Sequence, residues 1–381
     1  MKRKAGIWLI GWLLLTCAAL GLVAVKTVQV DPFFHFHKPN TAGYYYPLDN
    51  ERSQNDGIVK HFDYTGLIAG TSMTENFKTS EAEELWGGVF VKVPFSGGTF
   101  REINDNIDMA LRYNPELKVV VRGLDMMKLT DDKDEIRLDL GEYPTYLYDD
   151  NAFNDVRYIF NRDVVFSRVY PMTRENGEPG FAPGITSFDR YANWMGRYTF
   201  GKDTLFPDGV GDFRPGEPVH LTEEQAEQTR ENILQNVVAT AREHPDVTFY
   251  YFIPPYSAQW WMEQLKAGTI YKQVEAERIA IEEILPCENI RLYSFNCLYE
   301  LTTDLNHYKD HLHYGDWVNS MMLRWMHDDR YRLTTDNYED YLEEELRFYT
   351  TYDYMQLNEQ PDYEDDSRAA MLLDLPQPSG K

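Results

Sequence analysis

Leu67-Ile68-Ala69-Gly70-Thr71-Ser72-Met73-Thr74-Glu75-Asn76-Phe77 begins as an apolar run of strand length, breaks at a glycine and continues into a segment of helical pattern. A serine there stands at the carboxyl edge of a strand, where open α/β sheets place ligands. It also lies beside helix-start amides suited to a developing oxyanion. Ser72 is therefore a candidate nucleophile; the competing reading is an ordinary N-cap serine, with Gly70 merely permitting the turn.

Outward from this stretch the chain alternates. After a strand at 66–70 come a helix at 74–86, a strand at 89–95, a helix at 100–113 and a strand at 117–124. That rhythm predicts right-handed βαβ units on a parallel sheet flanked by helices. Residues 126–220 interrupt it with many Asp, Asn, Gly, Pro and Tyr residues and no sustained period, and read as an insertion or lid. The rhythm resumes with a capping box at Thr222 to Gln225 opening a helix to Glu243, then a strand at 247–253, the turn Pro254-Pro255, helices up to Ile284, and a fifth strand at 289–295. A polar loop and a helix at 316–326 complete the α/β domain, placed at 61–330.

Two flanking regions differ in character. Residues 28–60, with Phe33, Phe34, His35, Phe36, His37 and Tyr44 to Tyr46, show neither period and read as an extended connecting segment packed on the domain, His35 and His37 being packing residues rather than ligands. Residues 331–381 hold 13 acidic and 4 basic residues with interleaved tyrosines, a solvated segment, helical in part and loose beyond about 360.

The N-terminus sets the compartment. Ala5 to Val25 is uncharged and rich in Leu, Ile, Trp, Ala and Val; 21 residues at about 1.5 Å each reach roughly 31 Å, enough to cross a bilayer core. Lys2, Arg3 and Lys4 precede it and only Lys26 follows closely, so residues 1–27 read as a cytoplasmic stub and transmembrane anchor with the main domain extracytoplasmic. A cleavable signal peptide is the alternative, and Leu15-Thr16-Cys17 only faintly resembles a lipoprotein box.

Composition narrows the classes further. An aromatic content of 14% and a hydrophobic content of 43% over 381 residues support a real core, and a formal net charge of −25 argues against nucleic-acid binding. Cys17, Cys287 and Cys297 form no metal-type CxxC pair, and a strand between Cys287 and Cys297 holds them apart as two separate thiols.

A nucleophilic serine needs a base. Asp304-Leu-Asn-His307-Tyr-Lys-Asp310-His311-Leu-His313-Tyr314-Gly315-Asp316 supplies D-x-x-H, with Asp310 spaced to orient His313 in a loop after the last strand. A solvated polar loop and a metal site using His307, His311 and His313 are the alternatives, although no HExxH-type cluster accompanies them. Tyr256, Ser257, Trp260 and Trp261, just past a sheet edge, are candidates for an aromatic platform holding a sugar or acyl chain, or else packing residues.

Taken together, Gly-Thr-Ser after strand one, a glycine near the end of strand two, a polar residue after strand three and the late D-x-x-H resemble the SGNH (GDSL-like) hydrolase superfamily. The anchor, GTSMTENF, the turn at Pro254 to Ser257 and the D-x-x-H-Tyr ending look like its extracytoplasmic branch, which includes teichoic-acid D-alanylation and alginate O-acetylation proteins. The resemblance implies a flavodoxin-like three-layer sandwich. Ser72 would be its nucleophile, His313 the general base and Asp310 the orienting partner. The Ser72 amide with that of Gly97 or Gly98 would form the oxyanion hole. The family's third donor is an asparagine, and the matching position is Asp125; an ionised aspartate cannot donate, which leaves a protonated Asp125, Asn104 or Asn106, or a two-donor hole. No cofactor or metal is called for. The resemblance further implies an esterase or acyltransferase acting on acyl esters of a cell-envelope glycopolymer beside a multi-spanning membrane acyltransferase. The alternative is a catalytically silent envelope protein that binds glycan or scaffolds such a partner.

Overall fold

The computed structural model describes residues 2–139 and 143–361, and they divide into two compact units: 1–62 with 140–187, and 63–139 with 188–381.

The first unit begins with α1, Lys2–Val30, apolar and long enough to cross a membrane, with a mean hydropathy of 2.3 over its most apolar window. Its end is tied down within the unit: Thr27 Oγ1 donates to the Ile159 carbonyl at 3.2 Å, and the Tyr46 hydroxyl donates to the Val30 carbonyl at 2.8 Å. The buried Asp31 carboxylate then accepts the backbone N–H groups of His35 (3.0 Å), Phe36 (2.7 Å) and His37 (3.0 Å) and the Tyr158 hydroxyl (2.8 Å). Residues 28–60 are not simply extended, because α2, Glu51–His61, lies among them, with Asn50 as its N-cap. Half of its buried positions are polar (Gln54, Asn55, Asp56), so no apolar stripe announces it. Gly57 lets α2 approach the 33–34 backbone, since a Cβ there would lie 2.3 Å from the Phe33 carbonyl oxygen. Nor does this segment pack as part of the α/β domain; with 143–187 it makes the separate unit, joined by a short parallel pairing of Tyr45–Tyr46 with Gly184–Ile185.

The second unit is the α/β domain. Its strands are β1 Gly66–Gly70, β2 Phe90–Pro94, β3 Val119–Gly123, β4 Thr248–Ile253 and β5 Ile290–Ser294. All pair in parallel, in the order β2-β1-β3-β4-β5. Their near-continuous burial is what a sheet covered on both faces requires. The helices are α3 Thr79–Trp86, α4 Phe100–Tyr113, α5 Glu223–Ile233, α6 Ala258–Ala267, α7 Ile270–Ile284, α8 Asp316–His327 and α9 Tyr338–Thr351. Right-handed crossovers in this strand order put α3 on one face and α4, α5 and α7 on the other, in keeping with the packing of α3 on α8 and of α5 and α9 on α7.

The 126–220 stretch is divided between the units. Residues 143–187 belong with the N-terminal segment, whereas 188–220 stay with the sheet. The acidic 331–361 stretch contributes α9, whose Leu342, Glu345 and Tyr349 are buried; the looseness expected beyond 360 falls mostly outside the described residues.

Two sheet residues are buried cations that donate to backbone carbonyls. Lys92 on β2 donates to the carbonyls of Glu75 and Phe77 (2.8 Å to the latter), fixing the segment just after Ser72. Arg122 on β3 donates to the Asn236 carbonyl at 2.7 Å within the π-helical turn Leu234–Val238 that continues α5, and its burial depresses its pKa.

Candidate active site

The strand order places a topological switch between β1 and β3, whose neighbours lead off in opposite directions, and ligands favour the crevice at the carboxyl ends there. Ser72 follows β1, starting a single 3-10 turn, Ser72–Thr74, that Thr71 caps by accepting the Met73 N–H at 3.3 Å. At the first position of such a turn the backbone N–H has no partner inside it. Gly70, at φ +153, makes the close approach: a Cβ there would lie 2.5 Å from the Thr74 methyl carbon.

His313 arrives from the loop after β5. The Ser72 Oγ lies 2.8 Å from its Nε2, while its Nδ1 lies 2.9 Å from both carboxylate oxygens of Asp310. Asp310 Oδ1 also accepts the backbone N–H groups of Leu312 (2.9 Å) and His313 (2.8 Å), so the D-x-x-H spacing closes on itself as a local turn. Burial alone would raise the Asp310 pKa, but the His313 ring and those two amides outweigh it and hold the carboxyl well below its usual range. An ionised Asp310 fixes the Nδ1–H tautomer and leaves Nε2 as the acceptor facing the serine. Of the neighbouring histidines, His307 Nδ1 accepts from the Trp317 indole at 3.0 Å and His311 lies 3.2 Å from Glu263.

Asp125 does not face the reacting centre as a donor. It is buried beneath the serine turn and accepts the hydroxyls of Thr71 and, at 2.6 Å, Tyr256. Burial pushes its carboxyl pKa up, against these two donors. Gly98 is corrected as well, for its amide donates to the Phe95 carbonyl at 2.7 Å. Gly97, at φ +59, lies against Arg137, which donates to the Ser96 carbonyl at 3.0 Å. Asn104 is engaged elsewhere, accepting from Thr240 at 3.1 Å and donating to Asp108 at 3.3 Å; neither it nor the fully buried Asn106, both on α4, lines the depression around Ser72.

The aromatic platform is also overturned. Tyr256, Trp260 and Trp261 are buried, Tyr256 with its hydroxyl on Asp125 and Trp261 stacked on Tyr349 of α9 at 4.2 Å between centroids. The wall of the site comes instead from 188–200. A shallow depression is lined by Ser72, Met73, Asn76, Trp194, His313, Tyr314 and Asn319. Trp194 meets the His313 ring edge-to-face at 6.1 Å, and the Lys309 ammonium sits 4.4 Å over Trp194 and 4.0 Å over Tyr198.

Asn76 was missed by sequence reasoning although it lies inside the opening motif. Its Oδ1 accepts the Trp194 N–H at 3.2 Å, which leaves its Nδ2 as a donor in the lining beside Ser72. Three groups of lining residues, the Trp194 indole N–H, the Tyr314 hydroxyl and the Asn319 Oδ1, are buried with no hydrogen-bond partner among the described residues.

We found no match among protein-family models or curated proteins. A solved structure described as "a putative platelet activating factor from Streptococcus pneumonia" is similar over 76% of this chain and 90% of that one, with 12% identity and a TM-score of 0.35. A likeness of that degree says nothing about chemistry.

Proposed function

We propose that the protein is a serine esterase or acyltransferase of SGNH type, held in a membrane by α1 with its α/β domain outside, and acting on acyl esters of a cell-envelope glycopolymer. The observation that carries the reading is the hydrogen-bonded chain from Ser72 through His313 to Asp310 at 2.8 and 2.9 Å. The residues resembling the SGNH pattern are the ones that form it. The charges at Lys2, Arg3 and Lys4, against Lys26 alone after the apolar run, support the orientation.

The reaction follows from the geometry. Ser72 Oγ attacks the acyl carbonyl as His313 Nε2 takes its proton, and the imidazolium is balanced by Asp310. The Ser72 amide and Asn76 Nδ2 donate to the oxyanion, and the Gly97 amide is the remaining candidate from the second strand. Collapse expels the alkoxide, which recovers the proton from His313 and leaves an acyl-Ser72 ester. Water or a sugar hydroxyl, deprotonated by the same Nε2, then resolves that ester.

The test is fluorophosphonate labelling of the full chain in detergent, read by intact mass, with Ser72→Ala and His313→Ala alongside. A single adduct on the wild type that both substitutions abolish supports the reading. No adduct under conditions that label a control hydrolase would remove it.

A further inference from the structure

Next to the end of α1, the first unit presents large apolar side chains to the outside. Phe153 is 93% exposed, Phe166 67% and Tyr170 60%, with Val156 and Phe160 also exposed. Scattered exposed apolar residues need no explanation, but a cluster of aromatics confined to one segment does. Arg162, Phe166, Tyr170 and Arg174, all exposed, follow each other at four-residue intervals along the π-helical turn Val164–Val169 and the helical turns Tyr170–Glu175. That spacing lines them up on one face, aromatic in the middle and basic at both ends.

The location of this face is set by α1. Residues 5–22 of α1 are exposed throughout apart from the half-buried Thr16, whereas Val23, Ala24, Thr27, Val28 and Val30 are partly or fully covered. The segments Val156–Ile159 and Val164–Val169 pack on α1 within the same unit, and Thr27 is hydrogen-bonded to Ile159. The uncovered 18 residues span about 27 Å at 1.5 Å each, close to the roughly 30 Å of a bilayer's hydrocarbon core. The packed segments therefore begin where the hydrocarbon ends, at headgroup depth, which is where aromatic side chains concentrate in membrane proteins.

We propose that residues 153–174 form a membrane seat, with Phe153, Phe160, Phe166 and Tyr170 inserted at the headgroup–acyl boundary of the leaflet from which α1 emerges. This rests on the reading of α1 as a membrane span. Across 153–175 the exposed charged groups are Arg157, Arg162, Asp163, Arg174 and Glu175, a net of one positive charge, so the aromatic groups supply most of the binding. A zwitterionic phospholipid surface therefore suffices as partner. The seat would hold the first unit against the bilayer instead of leaving it to swing on a single helix.

The test uses the full chain in phosphatidylcholine nanodiscs, in a background with Cys17→Ala and Cys297→Ala. Nitroxide labels are placed singly through Phe166→Cys, Tyr170→Cys, Leu14→Cys in α1 and Glu224→Cys on the exposed start of α5. Collision with oxygen, which partitions into lipid, is compared with collision with a water-soluble nickel chelate. The proposal expects the oxygen-to-nickel ratio at 166 and 170 to exceed that at 224 several-fold and to approach that at 14. A ratio at 166 and 170 equal to that at 224 overturns the seat. Protection from both reagents overturns it too, since it would mean that protein covers the face. A lipid-like label at 14 with a watery one at 166 rejects the seat alone, whereas a watery label at 14 rejects the membrane span itself.

Discussion

Replacing Asn76 with aspartate tests the oxyanion assignment directly, because the two side chains share a shape. The carboxylate keeps an oxygen for the Trp194 N–H, which lies 3.2 Å from the asparagine Oδ1, but turns the Nδ2 donor beside Ser72 into an acceptor. Losing one oxyanion donor costs on the order of 10²–10³ in kcat, about 3–4 kcal/mol, and a carboxylate facing the oxyanion adds repulsion to that. Because the donor engages the oxyanion and not the bound ester, the loss falls on kcat and leaves KM nearly unchanged. The assay is p-nitrophenyl acetate hydrolysis by the full chain in detergent, with kcat and KM resolved and the unfolding midpoint followed as a control for folding. Asn76→Ala, which introduces no charge, should lose a similar factor. A folded Asn76→Asp variant with kcat within about fivefold of wild type, less than about 1 kcal/mol, would refute the assignment. If Tyr314→Phe instead showed the large loss, the donor would be the unpartnered Tyr314 hydroxyl.

Other substitutions probe the supporting residues. Asp310→Asn preserves the shape but gives His313 no anionic partner for Nδ1–H, and ester turnover should fall by about 10⁴, as expected for a misassigned tautomer. Asp125→Asn, the residue the family pattern would favour, offers one acceptor oxygen to two hydroxyls; urea unfolding should show a loss of about 1–3 kcal/mol with no gain in turnover. Glu277 on α7 and Glu345 on α9 are fully buried against each other, and burial raises the pKa of both. The folded state therefore binds more protons than the unfolded one, and stability is present at low pH and declines as pH rises above the ordinary carboxylate range. Glu345→Gln should flatten that decline in pH-dependent unfolding.

The sheet was legible because each of its strands is a short apolar run bounded by turn residues and separated by amphipathic helices. The sequence boundaries fall within about three residues of the observed ones for all five strands. What periodicity could not reveal depends on polar burial. The helix α2 turns Gln54, Asn55 and Asp56 inward, and the π-helical turn in the helix from 223 to 243 offers its Asn236 carbonyl to Arg122, a residue more than a hundred positions earlier. Similarly, the 126–220 stretch has no internal signal for its division, since Trp194 joins the site by contacts with Asn76 and His313 that are distant in sequence.

At the site, the residues that could be read were those whose partners are local. Asp310 and His313 close a four-residue turn, and Ser72 announces itself by the strand, glycine and helix around it. Asp125 could not be placed from a family slot, because its hydrogen-bond partners are decided by the strand order. Thr71 follows β1, Asp125 follows β3 and Tyr256 follows β4, and only the order β2-β1-β3-β4-β5 makes these three strand ends neighbours. One carboxylate then ties all three together directly below the nucleophile, which explains why Tyr256 is buried with its hydroxyl inward rather than offered to a sugar. In this protein the aspartate and the buried tyrosine therefore belong to one device, and Asn76, two residues past the same turn, is the oxyanion donor proposed above.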